Sequence, residues 1–240
     1  MATNFDRNIS GRTSSSEMTY DLGLRAYMLK VYNFMGLGLA LTGFISFMIT
    51  QTPSLIEAFY TNSLLAFVFM LLPFGLVMYL QFKIKDMSLQ MAQTMFWLYA
   101  GLMGLALAPV FLVYTGTSIA RVFFITAGTF GSMSLYGYTT KRDLTAFGSF
   151  LTMGLWGIII AMVVNIFLQS SALQFAVSVI GVLIFTGLTA YDTQAIKEIY
   201  ASSDTEDIAG KKAIMGALRL YLDFVNLFLM LLQLFGDQRK

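Results

Sequence analysis

The chain has 240 residues, 57% of them hydrophobic and only 12% charged, with a net charge of +2. A soluble domain carries about 25% charged residues, so this composition defines a polytopic membrane protein. It contains no histidine, no cysteine and no GxxxxGK[ST] phosphate loop. This argues against zinc, haem, disulfides, Cys–His or Ser–His catalysis and ATP-driven pumping, and the small net charge offers nothing to a nucleic acid.

Residues 1–22 are mostly polar and carry no signal-peptide pattern, so they are expected to form a disordered cytoplasmic tail. Residues 23–240 form the transmembrane domain. After a lead-in with Arg25 and Lys30, the first span runs roughly from Asn33 to Ile49. Gly36, Ala40 and Gly43 give it a face on which helices can approach closely. A loop with Pro53 and Glu57 follows, then a second span from Ser63 to Phe82, in which Pro73 predicts a kink. The loop Lys83 to Asp86 leads to a third span, Met91 to Tyr114, with Gly104 and Ala108 as a small-residue pair. A tight turn at Thr115–Thr117 precedes span four, Ser118 to Thr139, whose Ala127, Gly128, Gly131 and Ser132 are read as a packing face. Span five covers Thr145 to Leu168, and a turn at Gln169–Ser171 leads into span six, which starts near Leu173 and reaches Asp192. A polar stretch, Lys197 to Lys212, separates it from span seven, Ala213 to Phe235.

Each run approaches the ~20 residues needed to cross the hydrocarbon core. With seven spans and the N-terminus inside, all of the 15 basic residues except Arg121, Arg239 and Lys240 fall on the inner side, as the positive-inside rule requires. A re-entrant last segment would bring Arg239 and Lys240 inside as well.

Of the 13 acidic residues, only Asp192 and Asp223 sit well within apolar runs. A lone acid at bilayer depth costs roughly 2.5–3.5 kcal/mol on insertion scales, so a partner, a cavity or a cation must offset it. Both lie in the inner halves of their spans. Thr189 shares a helical face with Asp192, and Arg219 and Asn226 share one with Asp223. Two carboxyls in a low-dielectric site rarely both ionise, so a shared proton is the expected resting state. The same pair offers the hard oxygen ligands that calcium prefers, so proton and calcium would compete for one site. The competing reading is structural, with Asp223 paired to Arg219 one turn away and Asp192 an ordinary helix-end charge. Tyr136, Tyr138 and Tyr191 read as interfacial anchors.

Three stretches carry a family resemblance: SLYGYTTKRDL (Ser134 to Leu144), FTGLTAYDTQAIK (Phe185 to Lys197) and LYLDFVNLFLMLLQLFG (Leu220 to Gly236). The chain resembles the Bax inhibitor-1, or transmembrane Bax inhibitor motif, family, specifically its bacterial branch. The resemblance implies an all-α fold of seven transmembrane helices with a central final helix wrapped by the other six. It implies an inner-membrane calcium leak, channel or exchanger governed by a paired-aspartate pH sensor, here Asp192 and Asp223. Relatives can lock that pair with an arginine at the inner end of span two. Lys83 or Lys85 would have to serve here, without the bidentate fork of arginine. The alternative is a non-transporting regulator that binds a membrane protease or another membrane protein. An intramembrane aspartyl protease would need a GxGD motif, which is absent, so no enzyme activity and no cofactor beyond a bound or transported calcium ion is expected.

Overall fold

The structure is a computed structural model that describes the backbone of residues 4–239 and the side chains of residues 21–239. It contains eight helices among the described residues: α1 (Asn4–Thr50), α2 (Pro53–Tyr60), α3 (Ser63–Lys83), α4 (Leu89–Val113), α5 (Gly116–Thr139), α6 (Thr145–Leu168), α7 (Ser171–Glu198) and α8 (Glu206–Phe235). Seven are long and apolar enough to cross a membrane, the part of α1 that qualifies being Asp21–Thr50. The expected tail, 1–22, falls almost wholly outside the residues described to their side chains. The loop after the first span holds one further helix, α2, started by Pro53 at its first position, where a missing N–H costs nothing. Both α3 and α4 run continuously through their prolines, Pro73 and Pro109.

Large apolar side chains cover the outside. Phe167, Phe82 and Phe124 are 83%, 74% and 72% exposed, which only lipid can accommodate over so wide a surface. The interior is organised on α8, the most buried of the spanning helices. It packs against α1, α4, α5 and α7. Extended packing on α8 thus comes from four of the six other spans, and the expected wrapping by all six is not confirmed. Helix α3 packs on α4 and α6 on α7, one layer further out, because their surfaces are apolar all round and satisfied by lipid.

Close approach uses other small residues than the periodicity suggested. Gly36 and Gly43 face open space, as do Gly128 and Gly131. The contact face of α1 is Gly38, Thr42 and Ser46. Thr42 Oγ1 lies 2.8 Å from the Ala100 carbonyl and 2.7 Å from the Tyr221 hydroxyl, so one hydroxyl joins α1, α4 and α8. Ser46 donates to the Gly104 carbonyl at 2.7 Å. A Cβ on Gly104 would stand 2.8 Å from Ile45 Cβ and from the Thr42 carbonyl, so this predicted small-residue position does set the α1–α4 distance. The clue to the true face of α1 was its hydroxyls, which seek interhelical partners in a bilayer.

Helix α8 runs to Phe235, and the chain beyond it is fastened at the end of the bundle where α4 meets α5. Arg121 donates to the Phe235 carbonyl at 2.8 Å and pairs with Asp237 at 3.0 Å. Arg239 donates to the carbonyls of Val113, through its backbone at 2.8 Å, and Tyr114, through Nε at 3.1 Å. The last helix is thus one unbroken helix, long and apolar enough to cross a membrane. Arg121 and Arg239, the described basic residues that sat poorly with the charge rule, each have a local anchoring role.

Candidate functional site: a buried aspartate pair

Helices α7 and α8 are antiparallel neighbours joined by the short loop 199–205. Lys212 clamps that loop, donating to Asp204 at 2.6 Å and to the Ile199 carbonyl at 2.9 Å, and Thr205 caps α8. This fixes the register between the two helices. The same register brings Ser178 and Gln233 within 2.7 Å at the far end and packs Met230 against Gly181.

In that register the Asp192 and Asp223 side chains are brought side by side. Asp223 is 5% exposed, and its Oδ2 is buried without a hydrogen-bond partner. The side chain of Asp192 is 13% exposed. Arg219 approaches the pair from the open side, with Nη1 3.4 Å from Asp192 Oδ1. The arginine expected beside Asp223 thus pairs with Asp192 across the helix interface. Half of Arg219 remains solvated, so this ion pair is worth at most about 1 kcal/mol.

The structure brings two of the candidate residues together with a third and leaves the others apart. Lys83 pairs with Asp86 at 3.5 Å, and Lys85 is exposed on the same loop. Neither lysine reaches the aspartates; Arg219 occupies the position of a counter-charge. Asn226 donates back to the Leu222 carbonyl at 2.9 Å. Thr189 donates to the Phe185 carbonyl. Tyr138 lies beneath the Lys197 ammonium, 5.7 Å from its ring centre, and Tyr191 packs on Gly148. Of the three tyrosines, Tyr136 is the exposed one, at 44%.

Residues next to Asp192 hold α7 in place. Thr193 contacts Ser134 at 2.9 Å, and Ser134 contacts the Tyr32 hydroxyl at 2.5 Å, a polar chain through α7, α5 and α1. Gln194 accepts from the Leu144 N–H and donates to the Arg142 carbonyl, both at 2.8 Å. Lys197 donates to the Tyr138 carbonyl at 2.9 Å. The two stretches SLYGYTTKRDL and AYDTQAIK are therefore two halves of one clasp. Their juxtaposition was not readable from spacing, because it depends on which helices touch.

The unpartnered Asp223 Oδ2 leaves room for a donor or a cation. Among the described residues no group of three or more acidic side chains could hold a metal ion. Calcium takes six to eight oxygens, so two carboxylates suit a passing ion better than a resident one.

A seven-span α-helical membrane protein with a carboxyl pair sealed between its last two helices is the class this fold and site define. A sequence model described as "Inhibitor of apoptosis-promoting Bax1" matches residues 24–240. The chain belongs to that family, the Bax inhibitor-1 family. It is 48% identical to an uncharacterised protein of Rickettsia prowazekii over 227 residues, 95% of this chain and 96% of that one. It is also 48% identical to the inner membrane protein YbhL of Escherichia coli K12 over 219 residues, 90% and 94% of the two chains. A further uncharacterised relative, from Borreliella burgdorferi, is 44% identical over 216 residues.

Proposed function

We propose that this protein is a proton-regulated calcium leak of a bacterial inner membrane, with Asp192 and Asp223 as its sensor and as oxygen ligands for the passing ion. The single observation that carries the reading is the Asp223 carboxyl, buried in the most enclosed helix beside a second carboxyl. Insertion of such a group is costly, and an apolar residue would pack the same space without that cost. The pair holds a proton in common. A divalent cation competes for the same oxygens, and Arg219 supplies a positive charge from the solvated side when the proton leaves. The concentration of basic residues at 83–85, 141–142 and 211–212, all at one end of the bundle's helices, supports a cytoplasmic position for this end.

The test is calcium flux into liposomes that contain only the purified protein, measured against pH. Wild-type flux should depend on pH. Asp192→Asn or Asp223→Asn should each move the midpoint or flatten the curve, and either change should make the other's effect smaller than additive. A flux that ignores pH, or independent effects of the two changes, overturns the proposal.

A further inference from the structure

The last helix carries a polar stripe that the aspartate pair alone does not use. Arg219, Asn226 and Gln233 stand seven residues apart on α8, one face of the helix through the depth of the bilayer. They are among its least buried positions, while Leu220, Leu227 and Leu232 on other faces are almost fully enclosed. At the inner end this face meets Asp192 through Arg219. At the other end, Gln233 opens into a cavity of about 400 Å³ between α6, α7 and α8.

That cavity differs in chemistry from the other two large ones, which are lined mainly by apolar side chains between α1 and α5. Four amides line it: Asn165, Gln169, Gln174 and Gln233. Gln233 Oε1 accepts from Ser178, and Asn165 Oδ1 accepts from the Ser170 N–H. The side-chain amides of Gln169 and Gln174 have no partner among the described residues. Gln169 is held at φ 50°, the one left-handed residue other than glycine among those described. Two of the four amides thus have partners within the protein, and Gln169 and Gln174 are exposed. Neutral carbonyl oxygens replace part of an ion's hydration without binding it tightly, which a conducting site requires. Below the cavity, Met230 fills the notch left by Gly181, where a Cβ would stand 2.9 Å from its sulfur. A thioether side chain is flexible and can repack.

We infer that this amide-lined cavity is the outer vestibule of the cation path, and that the α7–α8 seam leads from it, past Met230, to the aspartates. From Gln233 to Asp223 is ten residues, about 15 Å along the helix. The inference rests on the calcium-leak reading and adds to it the route and the class of ligand, a hydrated cation held by neutral oxygens.

The absence of native cysteine allows a direct test. Single variants Gln174→Cys, Gln233→Cys and lipid-facing Leu183→Cys are placed in liposomes and treated with a membrane-impermeant thiol reagent. The two vestibule cysteines should react at least about tenfold faster than the Leu183 control, because only a wet thiol ionises. Equal rates overturn the inference. Flux supplies the second arm. Gln174 is exposed, so Gln174→Glu and Gln174→Lys leave the fold intact. They should raise and lower calcium flux respectively, by about threefold or more each way, because a charge at the mouth changes the local cation concentration. The pH midpoint should stay at its wild-type value. Reactive cysteines with flux blind to charge at position 174 show a wet cavity off the path and overturn the inference, while the aspartate reading stands. Wild-type protein that conducts no calcium sinks both, whatever the labelling gives.

Discussion

Gly137 and Gly131 lie on the same helix, α5, and the structure gives them opposite fates. A Cβ built on Gly137 falls onto the Ala190 carbonyl group of α7, 2.8 Å from its carbon and 2.9 Å from the Ala190 Cα. These are backbone atoms, so no side-chain rotation relieves the contact. Ordinary contact begins at 3.4 Å and the Ala190 carbonyl oxygen lies nearer still than its carbon, so α5 and α7 must part by well over ~0.6 Å. Overpacking of this kind costs up to about 3 kcal/mol, and the better helix propensity of alanine returns about 1 kcal/mol. Gly137→Ala should therefore lose about 2 kcal/mol, which is about 4–8 °C in Tm for a chain of this size. Gly131 faces nothing within 4 Å. Gly131→Ala should keep only the propensity gain and raise Tm by about 2–4 °C. Periodicity alone placed Gly131 on a packing face; the structure reverses that expectation. The assay is thermal unfolding of both purified variants in one detergent. A Gly137→Ala protein as stable as wild type, or a Gly131→Ala protein as damaged as Gly137→Ala, refutes the placement of α5 against α7.

Other expectations follow from the same packing. A topology reporter fused after Lys240 should lie outside the membrane and one inserted within 202–205 inside; both on one side would remove the crossing of α8. Gln194→Leu should orphan the Leu144 N–H and the Arg142 carbonyl, a loss of about 2 kcal/mol, read as a lowered Tm with the pH response of flux retained. In the α5–α6 turn, hydrogen bonds from the Thr145 hydroxyl and then its N–H hold the Asp143 carboxyl below its ordinary range. A depressed acid stabilises the fold above its unfolded-state pKa and loses that contribution as pH falls through the folded value. Exchange of the first amides of α6 should accordingly rise only under acid conditions beneath the usual carboxylate range, and Asp143→Asn should abolish that rise.

The number and limits of the spans were legible because bilayer thickness dictates length, and every predicted run found its helix. The pairing of the runs was not legible. Lipid-facing and protein-facing surfaces are equally apolar here, as in α6, where Trp156 is 63% exposed and Ile158 5%. Hydropathy cannot rank such faces, and small residues mislead where they merely leave space, as Gly36 and Gly43 do. Polar atoms were the better guide. Thr42, Ser46, Ser134 and Gln194 each mark a true interface, since a hydroxyl or amide in a bilayer must find a partner. The aspartates stood out for the same reason. What remained hidden was the identity of their cation, because Arg219 is one turn from Asp223 along its own helix yet turns to Asp192 on the next.

That geometry leaves two roles for the pair, and they separate experimentally. Helices in lipid gain little from apolar contact with one another, so a buried hydrogen bond can fix their register. Ser178–Gln233 does so at the far end of the α7–α8 seam, and a bond between Asp192 and Asp223 would serve the same purpose at the end nearer the 199–205 loop. A register device needs a donor and an acceptor but no titration. Two asparagines supply both, at nearly the same volume as two aspartates, and they remove every proton equilibrium from the site. The variant Asp192→Asn/Asp223→Asn should therefore fold and keep its stability within about 1 kcal/mol of wild type. Its calcium flux should no longer follow pH. Circular dichroism melts and liposome flux on one preparation read the two properties together. A double variant that melts early while its flux still titrates would make the pair a structural fastener and move the sensor elsewhere.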